Sequence, residues 1–542
     1  MSRIHSNWWS NALGCLLLMA WVPLGAQVAS AEAVPQLSEE DFGKAEFIYF
    51  DRCSGCHGAL RKGATGPNIS DEKMLKKTLI ELEEVIFDGT EAGMPGWGRT
   101  GEMTKAETAL MAKFVQHPAP IPPEMGLKAM KESHKIIVPV DARPAKPQHD
   151  RDIQNYFGFI LRDAGKGAII DGDSKELIEV LDTGFAVHIF RASATGRYFY
   201  TIGRDGVVNL IDLYSDKPKV VASVRTCLDA RSIDVSKYKG PKGDFEDSLA
   251  VVGCYWPPQM VVLDGQTLEP KKVISTRSST YDTNEYHPEP RVATIVASHA
   301  DSEWVVAIKE TGMVWLVDYS DLDNLKMTQI AAERFLHDGG WDATKRYLLL
   351  AANMRDQMVV IDTKEKKFVT KFETGIKPHP GRGANWIDPE YGPVSATTHL
   401  GEGKITVFGS DPAGHPEHAW KVVREQETMG PGLFLKTHPE SDNIWVDSTL
   451  AKDEGDNQKI CVYKKAAFDD GPKCWKAADH GKIVHFEYNK AGNEVWTSVW
   501  DRKGEIIIYD DKTLKEIKRI KGDWLVTPTG KWNVYNTVHD IY

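Results

Sequence analysis

The sequence predicts an all-β eight-bladed propeller preceded by a small all-α domain. Three observations carry that expectation. Strand-like segments ending in an acidic or turn residue recur eight times beyond residue 150. Two stretches of helical periodicity flank a Cys-x-x-Cys-His string before residue 117, and a proline-rich run separates the two parts. With 542 residues, the chain is too long for one ordinary core unless most of it is repetitive.

The amino terminus reads as a secretory leader over residues 1–31. Arg3 precedes the apolar run through Leu16, Leu17, Leu18, Met19, Ala20 and Trp21, and Ala29-Ser-Ala31 closes it with small residues. The run is shorter than the roughly 20 residues of a membrane span, so the mature protein is expected to be exported with no span. Cys15 follows Leu13-Gly14 but lies before most of the apolar run, where a lipoprotein cysteine would follow it.

Residues 32–117 form the expected α-domain. Ser38 with Asp41 and Thr104 with Glu107 have capping-box spacing. Each pair is followed by apolar residues at helical intervals, Phe47, Ile48 and Phe50, then Leu110, Met111, Phe114 and Val115. Between them stands Cys53-Ser-Gly-Cys56-His57. Two thiols three residues apart with an adjoining imidazole suit covalent c-type haem attachment, with His57 as the proximal iron ligand. Zinc binding or a dithiol redox pair would use the same residue types. The Gly- and Pro-rich loop Gly93-Met94-Pro-Gly-Trp97-Gly98 then offers a thioether as second axial ligand. The fold class is thus a small all-α cytochrome c domain plus an all-β eight-bladed propeller.

Residues 118–150, with prolines from Pro118 to Pro147, read as a semi-rigid linker, and residues 151–542 as the propeller. The repeated segments end at Asp171, Asp212, Asp264, Asp318, Asp362, Gly409, Lys464 and Asp510, with spacings from 41 (Asp171 to Asp212) to 55 (Gly409 to Lys464). A period of this length with several short strands per unit is that of a propeller blade.

Two groups of polar residues mark a ligand site. His188 and Arg191, with Arg162 and Arg204 near in sequence and Arg231-Ser232 a blade later, suit an iron-bearing, polycarboxylated macrocycle. Surface arginines and a packed histidine fit the same pattern. His337 and His379 both lie in Gly-rich stretches, His337-Asp-Gly-Gly-Trp and His379-Pro-Gly-Arg382-Gly-Ala-Asn, and would donate protons or hydrogen bonds to an anion. They would serve equally as zinc ligands, joined by His399 or His438, although no Cys or acidic residue has convincing spacing.

From about residue 38 to the last residue, the chain resembles the cytochrome cd1 nitrite reductases. The resemblance rests on Cys53-Ser-Gly-Cys-His-Gly, Gly93-Met-Pro-Gly-Trp-Gly, Leu161-Arg-Asp-Ala-Gly, Tyr255-Trp-Pro-Pro-Gln, Tyr286-His-Pro-Glu-Pro-Arg, the two distal-histidine motifs and Thr527-Pro-Thr-Gly-Lys-Trp-Asn. It implies one covalent c haem, on Cys53 and Cys56 with His57 and Met94 as axial ligands, and one non-covalent d1 haem in the propeller with His188 as proximal ligand. It implies d1 contacts from Arg162, Arg191, Arg204, Arg231, Ser232, Tyr255, Arg382, Thr529, Gly530 and Trp532, with His337 and His379 as the catalytic distal pair.

The same resemblance implies periplasmic reduction of nitrite to nitric oxide by a homodimer, with electrons from a soluble donor such as a small c-type cytochrome or a cupredoxin. Two departures stand out: the arm before Ser38 is short and carries no tyrosine, and His485 stands where members carry a glutamine near the d1 ring. The alternatives are a dihydro-haem d1 dehydrogenase of the same architecture and a non-catalytic d1 haem carrier. The distal pair and carboxy terminus favour the reductase, and the c haem disfavours a carrier. A formal charge of −11 disfavours nucleic-acid binding. Cys227, Cys254, Cys461 and Cys474 remain as either disulfides or free thiols.

Overall fold

The computed structural model describes residues 34–64, 66–90, 94–122 and 124–542; the expected leader, Cys15 and Gly93 lie outside these. The small domain is built on helices Glu39–Ile48, Leu79–Asp88 and Lys105–Phe114. Ser38 Oγ accepts from Asp41 N at 3.1 Å, and Thr104 and Glu107 satisfy each other's backbone donors reciprocally. The middle helix begins with an equivalent box at Thr78 and Glu81, a signal of the same kind that the sequence reading passed over. The apolar faces converge on Ala45, Tyr49, Leu82, Ile86, Met111 and Phe114, and Cys53, Met94 and Trp97 pack on the edge of that core.

The rest of the chain forms eight antiparallel sheets of at least four strands each. Their innermost strands contact one another in a ring: Pro528–Asn533 in blade 1, Ile189–Ala192 in blade 2, Asp229–Val235 in blade 3, Val292–Ala297 in blade 4, Leu336–Trp341 in blade 5, Pro378–Asp388 in blade 6, Leu435–Lys436 in blade 7 and Lys482–Tyr488 in blade 8. The last strand of the chain closes the ring of blades by pairing with Tyr156–Leu161, with Gly158 opposite Trp532, and leaves only short inner edges facing the axis.

Each of the eight repeated segments is the third strand of its blade. The terminal aspartate shapes the turn that follows. Asp264 Oδ1 accepts from Gln266 N at 3.1 Å and Thr267 N at 2.9 Å, and Asp510 Oδ1 accepts from Thr513 N at 2.7 Å. Such a side-chain turn frees the backbone to reverse into the outer strand. Residues such as Val261, Leu316, Val359 and Ile507 are fully buried between blades, each contributing about 1.5–3 kcal/mol.

The proline-rich stretch is tied down. Its helix Leu127–Ser133 buries Met130, and Lys135–Ile136 adds a fifth strand to the outer edge of blade 2, with Lys135 opposite Ser223. Cys227 is bonded to Cys254 and Cys461 to Cys474, whereas Cys53 and Cys56 are free. No helix among the described residues is long and apolar enough to cross a membrane.

Candidate active site

The inner strands lose register with their neighbours at one end of the propeller, and five of the predicted site residues, Arg231, His337, Arg382, Thr529 and Gly530, are among those released there. Arg231 is the extra residue between the Gly253–Ser232 and Cys254–Ala230 pairs. His337 and Asp338 fall in the bulge between Leu336–Ala352 and Gly339–Leu350. Pro380 to Gly383, including Arg382, form a larger bulge after His379. His485 is the extra residue in blade 8, with φ +57°, and Thr529 and Gly530 lie in the bulge of blade 1. A bulge frees a side chain from the alternation of the strand and re-aims it. The chain also enters this end through left-handed residues two positions before a site residue: Ala186, Phe335, Lys377 and Thr527, at φ +47°, +64°, +57° and +47°. Non-glycine residues adopt that conformation at a cost, which clusters at functional sites.

One wall is an arc of rings. Centroid distances are 5.4 Å for His337–His379, 5.7 Å for His379–Phe434, 4.6 Å for Phe434–His485 and 5.3 Å for His485–Trp532. Asp338 joins the two leading members: Oδ1 lies 2.8 Å from His337 Nδ1 and Oδ2 lies 2.9 Å from His379 Nε2. The second ring nitrogen of His379, Nδ1, donates to Leu433 O at 2.7 Å. Burial pulls the His337 pKa down to about 4, against the charge of Asp338. For His379 burial acts in the same direction, but Asp338 and the Leu433 carbonyl outweigh it and the pKa is raised. The sequence reading found no acidic partner for this pair; the structure supplies Asp338. These three groups have ligand atoms within 4.8 Å of one another, while His399 is committed elsewhere, to Lys404 O at 2.9 Å.

His188 precedes the inner strand of blade 2, its backbone N donating to Ile202 O at 2.9 Å, and lies near enough to Asp338 and His337 to feel their charges. Its side chain faces open volume, yet protein surrounds it: desolvation and then the charge of Arg231 hold its pKa well below the ordinary value. A neutral imidazole facing an enclosed space is suited to ligate iron.

The arginines divide into two sets. Arg204 pairs in bidentate fashion with Asp229, at 3.1 and 2.7 Å, and Arg162 pairs with Asp163 at 2.9 Å and lies 4.0 Å from Glu102 of the small domain. The others have no hydrogen-bonded carboxylate among the described residues. Arg191 Nε lies 3.6 Å from Asp234 Oδ1 without a hydrogen bond. Arg231 Nε is buried with no acceptor, and Arg382 donates only to the Gly339 and Ile295 carbonyls, at 3.1 and 3.4 Å. Arg191 thus has Asp234 as an ion-pair partner, whereas the half-buried guanidiniums of Arg231 and Arg382, with no carboxylate hydrogen-bonded to them, fit a ring bearing carboxylates. Tyr255 lies buried between Arg231 and Arg291, 5.7 and 4.9 Å from their guanidinium carbons, and Ser232 Oγ accepts from Ile295 N at 3.1 Å. Trp532 stacks on Phe190 at 6.4 Å, and the missing side chain of Gly530 makes room for the Trp532 ring.

The small domain docks beside this end of the propeller. Arg291, paired with Glu310, donates to Gly55 O at 2.7 Å. Glu289 accepts from the Ala59 and Leu60 amides, and Arg204 Nη2 reaches Ser54 Oγ at 3.4 Å. Arg52 bridges Trp97, in the Met94 loop, and Phe185, three residues before His188, at 6.0 and 5.3 Å. His57 Nδ1 donates to Pro67 O at 2.8 Å, which leaves Nε2 for a metal. This orientation and the free thiols of Cys53 and Cys56 fit a covalently held c haem.

The Cytochrome D1 heme domain family matches residues 151–537, and the family described as Cytochrome C oxidase, cbb3-type, subunit III matches residues 41–115. A nitrite reductase of Stutzerimonas stutzeri is 47% identical, over 96% of this chain and 97% of that protein. The dihydro-heme d1 dehydrogenase of Pseudomonas aeruginosa is 28% identical over 93% and 96%. A solved structure of dihydro-heme d1 dehydrogenase NirN in complex with DHE superposes with a TM-score of 0.70 at 27% identity, covering 91% of this chain and 99% of that one.

Proposed function

Because the chain belongs to the cytochrome cd1 nitrite reductase family, we propose that it reduces nitrite in the periplasm, at the end of the propeller that carries His188, His337 and His379. The reaction is nitrite plus two protons and one electron giving nitric oxide and water. When bound, the c haem supplies the electron and the d1 haem supplies the iron at which nitrogen is reduced. In this reading Cys53 and Cys56 hold the c haem with His57 and Met94 as its ligands, and His188 holds the d1 iron. Arg191, Arg231 and Arg382 meet the carboxylates of the d1 ring, and Tyr255, Ser232, Thr529, Gly530 and Trp532 shape its bed.

The observation that carries the reading is the distal pair. Two imidazoles on one half-buried carboxylate stabilise an anion and deliver protons to its departing oxygen. The role of the junction is to hold the thiol loop rigidly against the propeller: Arg291 bridges Gly55 O and the Tyr255 ring, so the small domain and the pocket share one wall. Two disulfides support an oxidising compartment. A small soluble c-type cytochrome or cupredoxin would donate the electrons, and the working unit would be a homodimer.

The reading is tested by offering the reduced, d1-loaded protein nitrite and, separately, the dihydro precursor of d1 haem, without oxygen. Catalytic nitric oxide release from nitrite is expected. Oxidation of the precursor with no nitric oxide would move the protein to the activity of its 28% identical relative.

A further inference from the structure

Both ring nitrogens of His379 face acceptors. Leu433 O is a carbonyl, and Asp338 Oδ2 belongs to a carboxylate whose pKa the two histidines hold well below its ordinary value, in spite of burial. Two acceptors require two N–H donors, so His379 is an imidazolium. His337 differs. Its Nδ1 donates to Asp338 Oδ1 at 2.8 Å, and its Nε2 makes no hydrogen bond among the described residues. The pair therefore holds one cation and one compensating anion, and that anion sits on Nε2 of His379.

We propose that Asp338 is a positioning residue that acts as a built-in stand-in for the substrate anion: it holds His379 Nε2–H in the resting pocket and yields that donor to nitrite. The inference rests on the reading above for the identity of the anion. When nitrite takes the Nε2–H of His379, Asp338 is left with His337 alone. Its full charge then favours a second proton on His337 Nε2. The two protons that the reaction consumes thus come from Nε2 of His379 and Nε2 of His337, and nitrite with one electron leaves as nitric oxide and water. The bulge that releases His337 and Asp338 together is what lets one strand present both an imidazole and the carboxylate. Thr294 Oγ1 secures it by donating to His337 O at 2.6 Å. The other charged or titratable groups that act on these three are Lys309 and His188 from the side of blades 2 to 4, Arg382 from blade 6, and Asp447 behind His379.

The test begins with protein carrying the c haem but no d1 haem, labelled with ¹⁵N at histidine, its His379 resonances identified by their loss in His379→Gln. In the parent protein His379 should be doubly protonated at neutral pH and half-titrate above 6.5, its ordinary value. In Asp338→Asn the midpoint should fall by about one to three pH units, the effect of removing an adjacent opposite charge. His337→Gln, which retains the carboxylate, should keep His379 cationic and serves if Asp338→Asn does not fold. In the d1-loaded protein, Asp338→Asn should lose kcat/KM for nitrite as pH rises one to three units sooner than the parent, about as large as the midpoint shift, with kcat falling more than KM rises. A neutral His379 at pH 7 in the parent, or the same midpoint in Asp338→Asn, would overturn the proposal. The resonance measurement needs no turnover, so failure of nitrite reduction would defeat the functional reading and leave this result separately decided.

Discussion

The arginines of the domain junction and those of the pocket lie at the same end of the propeller, the charge of Arg204 reaching Arg231, yet they are treated oppositely. Arg204 and Arg291 each hold a buried carboxylate, Asp229 and Glu310, and reach across to the small domain. Arg231 and Arg382 are enclosed with no carboxylate hydrogen-bonded to them. The first set is electrostatically complete and acts as a fastener. The second is incomplete and waits for an anionic ligand. A guanidinium's partners, more than its presence, tell a docking site from a binding site.

The largest effect should come from breaking the fastener. Arg291→Ala leaves Glu310 buried without its cation, which costs about 3–5 kcal/mol and should appear as a lower denaturation midpoint and easier proteolytic release of the small domain. Gly55→Ala attacks the same junction from the other side. A Cβ there would stand 2.8 Å from Arg204 Nη1, whose guanidinium is clamped by Asp229, so a loss of about 1–3 kcal/mol is expected in the same assay.

Arg231→Gln should behave in the opposite way. The d1-free protein should keep its stability to within about 1 kcal/mol, because no carboxylate loses a partner, while affinity for d1 haem in reconstitution should fall about ten- to a hundredfold, a lost charge-assisted hydrogen bond. Equal losses of stability in Arg231→Gln and Arg291→Ala would break the comparison. The smallest effect concerns Glu289. Burial pushes its carboxyl from an ordinary 4.5 up to about 7, against Arg291 and the two amides it accepts from. A carboxyl raised on folding stabilises fully below its unfolded pKa and loses that contribution as pH rises through about 7. Hydrogen exchange at the Ala59 and Leu60 amides should therefore quicken over that range beyond its intrinsic rise, and Glu289→Gln should remove the excess.

The repeat was legible because it is local: each third strand ends in an acidic or turn residue that shapes its own reversal, as Asp264 and Asp510 show. Cys53, Cys56 and His57 were legible for the same reason. Asp338 was not, because its meaning depends on a bulge in blade 5 and on His379, forty-one residues away on the next blade. Nor were the carboxylate that engages Arg204 and the one that approaches Arg162 from outside its own loop, since Asp229 lies a blade onward and Glu102 in another domain. Residue type identified the candidates; only register and docking sorted them. The pocket's bulges leave almost no trace in composition, since they are made by arginine, histidine and glycine alike.

The most direct measurement is nitric oxide release from nitrite by the reduced, d1-loaded protein beside its His379→Ala variant, with d1 occupancy matched by absorbance. The account predicts rapid release by the parent and a loss of about 10²–10⁴ in the variant, the worth of a positioned proton donor. Release at the parent rate by His379→Ala at equal occupancy would contradict it.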